Sequence, residues 1–301
     1  MAEQQVPLDA SSRADDPQAD ALRDDKTHEV TPDVAYRRLG IVNVAYWGAP
    51  DVSEGWVLID AGLPGMKGMI TGAADERFGM DARPAAIVLT HGHFDHVGSL
   101  EDLAEHWGVP IYAHAMEIPY LNGSAAYPRP DPTVGGGLMS ALSPLFPRGP
   151  VDVSRYVLPL PADGGVPSMP GWRWLHTPGH TPGHVSLWRE SDRTLIAGDA
   201  FVTTRQESVY AAATQAPEMH GPPMYYTQDW EAARESVEKL AALEPEVAVT
   251  GHGRAMRGEG MRAALHALAH DFDRVAVPER GKYVQAPARA ETGTAYPQAR
   301  K

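Results

Sequence analysis

Residues 91–96 have the sequence HGHFDH, which puts four potential metal ligands within six positions: His91, His93, Asp95 and His96. Imidazole nitrogens and carboxylate oxygens are ligands that zinc and iron accept in proteins. The apolar run AAIVLT at residues 85–90 directly precedes the motif and predicts a strand that delivers these side chains to the edge of a sheet. The pattern therefore predicts a metal site, in preference to a solvated loop of the same composition.

Three later apolar runs, at residues 172–175, 194–197 and 247–249, are also followed by histidine or aspartate next to glycine. Small residues allow backbones to approach a shared centre closely, and strand ends form a rigid support for a site. One such strand end would be weak evidence, whereas four in series indicate a single site. The later candidates are His176, His180, His184, Asp199 and His252.

This order of groups resembles the metallo-β-lactamase superfamily, whose HxHxDH motif is followed by His, Asp and His ligands. The resemblance extends over roughly residues 34–270 of the chain. It implies two metal ions, with Asp199 between them. The first ion would be held by His91, His93 and His180, and the second by Asp95, His96 and His252.

The resemblance also implies the fold. We expect a layered α/β (α+β) chain, an αβ/βα sandwich of two mixed β-sheets flanked by helices. Asp60, in the sequence LIDAG at residues 58–62, matches an earlier aspartate of the family. We expect Asp60 to orient metal ligands through hydrogen bonds, not to bind metal itself.

Composition narrows the range of partners. The 301 residues carry a formal net charge of −13, which argues against nucleic acid because phosphate binding needs a basic surface. The absence of cysteine leaves histidine and carboxylate as the metal chemistry. No apolar run has the length of a signal peptide or membrane span, so we expect a cytoplasmic protein that does not bind membranes and acts on a small molecule.

We predict one large domain over residues 32–276, preceded by a disordered acidic arm at residues 1–31 and followed by a tail at residues 277–301. Within the domain, residues 122–150 are rich in proline and glycine but also contain apolar residues, among them Met139, Leu142, Leu145 and Phe146. A connection of this length is usually functional or disordered. We interpret it as a lid beside the metals, with a surface insertion or a homodimer contact as the alternative.

Periodicity predicts the main elements. Strands are expected around residues 36–47, 55–60 and 110–113, and helices after the turn at residues 62–65, at residues 97–107, at residues 229–243 and at residues 258–272. The apolar stripes of the last two helices predict core packing.

Five histidines and two aspartates suit a two-metal centre with a bridging hydroxide. We expect two divalent ions, zinc in preference to iron or manganese, and we expect Asp95 to hold the nucleophile and accept its proton. The repeat TPGHTPGH offers two candidates for one ligand position, and the resemblance favours His180 over His184. His220, Tyr225 and Tyr226 follow Asp199 and are candidates for the pocket wall, without an assigned role.

Among branches of the superfamily, the sequence is most similar to hydroxyacylglutathione hydrolases (glyoxalase II) and N-acyl homoserine lactonases. It departs from both, because no basic cluster for glutathione follows His252 and Val202 stands where lactonases usually have tyrosine. We therefore predict a dinuclear hydrolase of a small thioester, ester or lactone. The alternatives are a mononuclear iron persulfide dioxygenase, a β-lactamase-type amidase and a binding protein without activity.

Overall fold

Two mixed β-sheets lie face to face, and helices cover their outer surfaces. The computed structural model describes residues 6–15, 23–50, 52 and 54–299. The predicted sandwich of two mixed sheets is confirmed. A separate pair of short strands joins the start of the described chain, β1 (Val6–Pro7), to β12 (Glu218–Met219).

The first sheet has seven strands in sequence order. The pairings from β2 to β5 are antiparallel and those from β5 to β8 are parallel, so the sheet is mixed. Its strands are β2 (His28–Thr31), β3 (Val34–Leu39), β4 (Val42–Trp47), β5 (Val57–Ile59), β6 (Ala86–Val88), β7 (Ile111–Ala113) and β8 (Val157–Pro159).

The second sheet has five strands in the order β14-β13-β11-β10-β9. Only β11 and β13 pair in parallel, and the connection between them carries the chain across the outer face. The strands are β9 (Trp172–His176), β10 (Val185–Arg189), β11 (Thr194–Gly198), β13 (Val247–Thr250) and β14 (Met256–Arg257).

Helices lie on both outer faces and in the connections. They are α1 (Lys67–Phe78), α2 (Phe94–Val97), α3 (Leu100–Trp107), α4 (Ile118–Leu121), α5 (Leu138–Leu142), α6 (Val209–Thr214), α7 (Trp230–Ala241), α8 (Gly258–His270), α9 (Phe272–Val275) and α10 (Lys282–Gln285), with single 3₁₀ turns at Ala10–Ser12, Ser143–Leu145 and Ala290–Thr292. Within the described ranges, no helix has the length and apolar character needed to cross a membrane.

Successive strand residues point to opposite faces of a sheet, and this alternation builds the layers. In β5, Val57 and Ile59 pack between the sheets, where they join residues such as Leu187 and Val249 of the second sheet. Leu58 points the other way and packs under α1 and α3. The apolar stripes of α7 and α8 cover the outer face of the second sheet, as their periodicity predicts.

The predicted disordered arm at residues 1–31 is wrong for its described part. Val6 and Leu8 are buried against the helices of the second sheet, and β2 is a strand of the first sheet. The buried Asp15 receives hydrogen bonds from Arg13 and from the hydroxyl of Tyr36. Acidic composition alone suggested a solvated tail, but arginines pair with these carboxylates. Residues 1–5 and 16–22 lie outside the described residues.

Two expected elements differ in extent from the observed ones. The strand expected over residues 36–47 is a hairpin of β3 and β4 that turns at Gly40, where φ is +70°. The helix expected over residues 97–107 is α3, which begins only at Leu100, and the short helix α2 ends at Val97 before it. Between them, Gly98 donates a backbone hydrogen bond to Gly62 O, so the chain there is held against the turn after β5.

Candidate metal centre

The candidate ligands lie at the ends of strands from both sheets. His91 and His93 follow β6 in the loop that leads into α2, and Asp95 and His96 lie in α2 itself. His180 lies in the loop between β9 and β10. Asp199 directly follows β11, and His252 follows β13. The two sheets therefore present these loops to one another along a common edge, which is the arrangement that the four strand ends predicted.

Three side chains form a first set, His91, His93 and His180, whose nitrogen atoms lie within 4.8 Å of one another. His93 Nδ1 and His180 Nε2 are 2.9 Å apart. All three histidines are at most 2% exposed. Burial is the main reason why the pKa values of His91 and His93 lie well below the usual range, and it lowers the pKa of His180 to about 3. These rings are therefore neutral at pH 7, which is the form that binds metal.

A second set consists of Asp95, His96 and His252, again within 4.8 Å of one another. His252 Nε2 lies 3.5 Å from Asp95 Oδ2. Asp95 is 6% exposed, and burial raises the pKa of its carboxyl group above the ordinary value. Burial opposes protonation of His96, but the Asp199 and Asp60 carboxylates outweigh it and raise the pKa of His96.

Asp199 lies between the two sets. Its carboxylate is 3.5 Å from His180 Nε2 in the first set, and 3.6 Å and 3.1 Å from the Nε2 atoms of His96 and His252. Two ligands that share a tetrahedral ion at about 2.1 Å stand about 3.4 Å apart. Burial opposes ionisation of Asp199, but His252 and His96 hold the pKa of its carboxyl group well below the usual range.

A second observation, the lack of hydrogen-bond partners for buried ligand atoms, also supports metal binding by these residues. His91 Nε2, His96 Nε2 and Asp199 Oδ1 are buried without a hydrogen-bond partner among the described residues. Unsatisfied buried polar atoms are costly and rare in folded proteins. Divalent ions would satisfy all three at once, because the ligand atoms of these three residues lie within 4.8 Å of one another.

The second ring nitrogen of three of these histidines is anchored by a neighbouring group. His96 Nδ1 is 2.8 Å from Asp60 Oδ2, and His252 Nδ1 is 2.7 Å from the carbonyl of Ile41. His91 Nδ1 is 3.1 Å from Thr90 Oγ1. Such contacts fix ring orientation and tautomer in metal sites. Asp60 makes the contact expected of it, and it also accepts hydrogen bonds from the backbone N and the hydroxyl of Thr90.

Three other histidines, His176, His184 and His220, belong to neither set. Both ring nitrogens of His184 are engaged, since Nε2 accepts a hydrogen bond from the backbone N of Asp199 and Nδ1 contacts Thr177 Oγ1. His176 is the last residue of β9, and its Nε2 faces the carbonyl of Pro182. His220 is buried 3.6 Å from Glu207. The geometry therefore directs His180, of the two repeat histidines, at His91 and His93.

Aromatic side chains cover the first set. Tyr226 stacks on His93 with ring centroids 4.4 Å apart, and its buried hydroxyl has no hydrogen-bond partner among the described residues. Phe94 packs beside Tyr226 and against Phe146, which belongs to the segment at residues 122–150. Tyr127, from the same segment, lies on His93 at 4.5 Å.

Sequence reasoning missed Tyr127, and it missed Glu117, which contacts two of the ligand loops. Neither residue follows one of the four recognised strand ends. The only sequence signal for Glu117 is a carboxylate a few residues after the apolar strand β7.

Comparison with known proteins gives consistent results. The sequence model of the Metallo-beta-lactamase superfamily matches residues 42–252. The chain is 49% identical over 230 residues to the probable metallo-hydrolase YflN of Bacillus subtilis (strain 168), covering 76% of this chain and 87% of that protein. It is 27% identical over 134 residues to the hydroxyacylglutathione hydrolase GloC of Haemophilus influenzae, covering 40% of this chain and 52% of that protein.

Solved structures share the fold. The crystal structure of a Beta-lactamase domain protein from Burkholderia ambifaria matches with a TM-score of 0.59 and 20% sequence identity. The match covers 86% of this chain and 76% of that one. At this identity the likeness concerns the fold alone.

Proposed function

The chain belongs to the metallo-β-lactamase superfamily and is a metal-dependent hydrolase, and from that premise we propose that it uses two divalent ions, zinc by preference, to cleave a small thioester, ester or lactone. The observation that carries the two-ion part is the position of Asp199, whose carboxylate lies within 3.6 Å of ligand nitrogens from both sets. We assign the first ion to His91, His93 and His180, the second to Asp95, His96 and His252, and the bridge to Asp199.

Divalent ions bound there would supply Lewis acidity toward the scissile carbonyl and hydroxide at neutral pH. The chain's own residues hold and orient the reacting groups. The neutral imidazoles of the first set present lone pairs without competition from protons, because burial disfavours their charged forms. Asp60 keeps His96 in one tautomer, with Nε2 directed toward Asp199.

Asp95 is the group that we assign to the nucleophile's proton. Its carboxylate faces His252 and is the most exposed of the seven candidate ligands, at 6%. Burial raises the pKa of the Asp95 carboxyl group, so Asp95 accepts a proton more readily than an ordinary aspartate does. A hydrolase of this kind requires no serine or cysteine nucleophile, in keeping with a chain that contains no cysteine.

We assign Tyr226 to direct contact with the substrate. Its hydroxyl is buried and has no hydrogen-bond partner in the described part of the chain, and its ring stacks on the ring of His93. A donor in this position would hydrogen-bond an oxygen of the substrate and would strengthen that contact as negative charge develops. The proposal leaves Tyr225 and His220 without a catalytic role.

We propose that the segment at residues 122–150 acts as a lid. All seven candidate ligands are at most 6% exposed, so a substrate needs a movement of the covering residues to reach them. Phe146 of this segment packs on Phe94 and Tyr225, and its neighbour Leu145 is 79% exposed. Opening of this segment would uncover the aromatic wall beside His93.

The substrate class is supported by chemistry and by one relative. Hydroxyacylglutathione, named for GloC, is a thioester, and thiolate and alkoxide leaving groups depart more easily than amines. We therefore rank thioesters, esters and lactones above amides. The aromatic groups Phe94, Phe146 and Tyr226 favour an apolar acyl group next to the reacting carbonyl.

The test is metal analysis combined with a substrate panel. The purified chain, loaded with zinc, is assayed on matched thioesters, oxygen esters, lactones and a β-lactam. We expect turnover of the first three classes that chelation abolishes and zinc restores. Turnover limited to the β-lactam would favour the amidase alternative. A single iron per chain with oxygen uptake on a persulfide would favour the dioxygenase, and no turnover of any class would contradict the hydrolase.

A further inference from the structure

Glu117 is a buried carboxylate outside the ligand sets. It directly precedes α4, after β7, and its side chain is fully buried. Burial raises the pKa of its carboxyl group. Within the described part of the chain, no lysine, arginine or histidine nitrogen forms an ion pair with it. A buried carboxylate without a cation is costly, so its retention needs a physical reason.

Four donors converge on this carboxylate, from three separate segments. Gly92 N lies 2.9 Å from Oε2, which also accepts a hydrogen bond from the hydroxyl of Tyr127. Thr181 Oγ1 and Gly183 N lie 2.9 Å and 2.8 Å from Oε1. Each carboxylate oxygen therefore serves a different ligand loop, because Gly92 separates His91 from His93 whereas Thr181 directly follows His180.

The glycines at these contacts leave room for Glu117. A Cβ atom added to Gly92 would lie 2.7 Å from the Tyr127 hydroxyl and 3.4 Å from Glu117 Oε2. At Gly183 it would lie 2.8 Å from Glu117 Cγ and Oε1. Close approach of backbone to a buried group is a recognised use of glycine. Two glycines of the motifs thus serve one carboxylate that the motifs do not contain.

Tyr127 extends the same contact to a ligand ring. It donates to Glu117, accepts from Gly92 N at 2.9 Å, and lies on His93 with ring centroids 4.5 Å apart. The arrangement therefore reaches all three histidines of the first set. It touches none of their ring nitrogens, which distinguishes it from the direct bond between Asp60 and His96.

We propose that Glu117 is a positioning residue that fixes the two loops carrying His91, His93 and His180 at the separation one metal ion requires. The inference rests on the proposed metal centre and adds a residue to it. One carboxylate oxygen orders each loop, so the distance between the loops is set by the width of the carboxylate group. The negative charge of Glu117 also offsets part of the positive charge that an ion would bring to the three neutral histidines.

Glu117→Gln tests this role with little change of shape. The amide retains one accepting oxygen, whereas its NH₂ group faces one hydroxyl and one backbone N–H, and the backbone N–H can only donate. We expect affinity for the ion of the first set to fall about 10–100-fold, with the second set less affected. Cobalt titration followed by absorption spectroscopy measures the two sets separately, with His180→Ala and His252→Ala as reference variants for each set.

Asp25→Asn is the matched control. Asp25 is also a buried carboxylate that accepts hydrogen bonds from a backbone N atom, that of Thr27, and from Arg23, and it lies outside the ligand sets and the proposed lid. We expect it to lower the melting temperature of the metal-free protein without a change in cobalt affinity. If Glu117→Gln behaves in the same way, Glu117 is merely structural and the inference is wrong.

The outcomes also separate this inference from the proposed function. One cobalt ion per unmodified chain would contradict the two-ion centre. Glu117 would remain a positioning residue if its variant weakened an ion held by the three histidines. Two ions per unmodified chain, with equal affinities in Glu117→Gln, would instead overturn the role of Glu117 and leave the centre intact.

Discussion

The two ligand sets are supported by buried carboxylates in different ways. In the second set, Asp60 contacts a ligand directly, at 2.8 Å from His96 Nδ1. In the first set, Glu117 contacts the backbones of the two ligand loops and no ligand ring. A direct contact changes the basicity and tautomer of one histidine, whereas a contact to two backbones sets the distance between loops. The comparison indicates that the second set is tuned at one ring and the first set is held by its loops.

Asp199 should connect the two sets, so its replacement should have the largest effect. Asp199→Asn removes the negative charge that lies within 3.6 Å of nitrogens from both sets. We expect both ions to bind more weakly and activity to fall by at least about 100-fold, since such ions contribute several kcal/mol to the transition state. Elemental analysis and turnover measure the two effects. Asp192→Asn, at an exposed carboxylate, is the control and should retain both ions.

His252 should belong to the second set alone. His252→Ala removes a ligand that faces Asp95 and Asp199, and leaves the three histidines of the first set unchanged. We expect one metal equivalent to remain and most activity to be lost. His270→Ala, at a side chain that is 87% exposed, should change neither quantity. Full activity in His252→Ala would mean that the sets are wrongly divided.

Asp60 should act on the second set through His96. Asp60→Asn replaces the carboxylate that accepts from Thr90 and faces His96 Nδ1. We expect affinity for the second ion to fall about 10–100-fold, as measured by competition with a chelator. Thr227→Val provides the contrast. The Thr227 hydroxyl lies 3.4 Å from His180 Nδ1, which is long for a hydrogen bond, so it should contribute little to metal affinity. Equal losses in the two variants would remove the distinction between direct and loop support.

Tyr226 should affect the reaction without affecting either ion. Tyr226→Phe removes a hydroxyl that has no partner among the described residues and retains the ring on His93. Loss of one hydrogen bond to developing charge corresponds to about a tenfold lower kcat. Metal content should stay constant. Tyr210→Phe, at an exposed tyrosine, should change neither kcat nor metal content. A fall in metal content would assign Tyr226 to the support of the first set instead.

The strand ends were predictable because each ligand is close in sequence to the strand that carries it. The run before His91 and the glycine next to Asp199 are local signals, and the resemblance supplied their order. Asp60 was predictable for the same reason. Glu117 was not, because its partners lie 10 to 66 positions away and no spacing rule connects them. A contact made through backbone N atoms leaves no residue pattern except glycine.

The errors in the fold also arise from distant contacts. The acidic N-terminal segment was predicted to be disordered because its own composition favours solvent, but Arg254, far along the chain, pairs with Asp15. The strand region expected around residues 36–47 is divided by the turn at Gly40, whose two arms, β3 and β4, pair with each other. Composition records what a segment contains and not what packs against it.

The most direct test of the account is a calorimetric titration of the metal-free chain with zinc, performed in parallel on Asp199→Asn. Two ligand sets that share one carboxylate predict two zinc ions per chain, both of which bind more weakly in the variant. One zinc ion per chain, or two ions whose affinities are unchanged in Asp199→Asn, would contradict the shared two-metal centre.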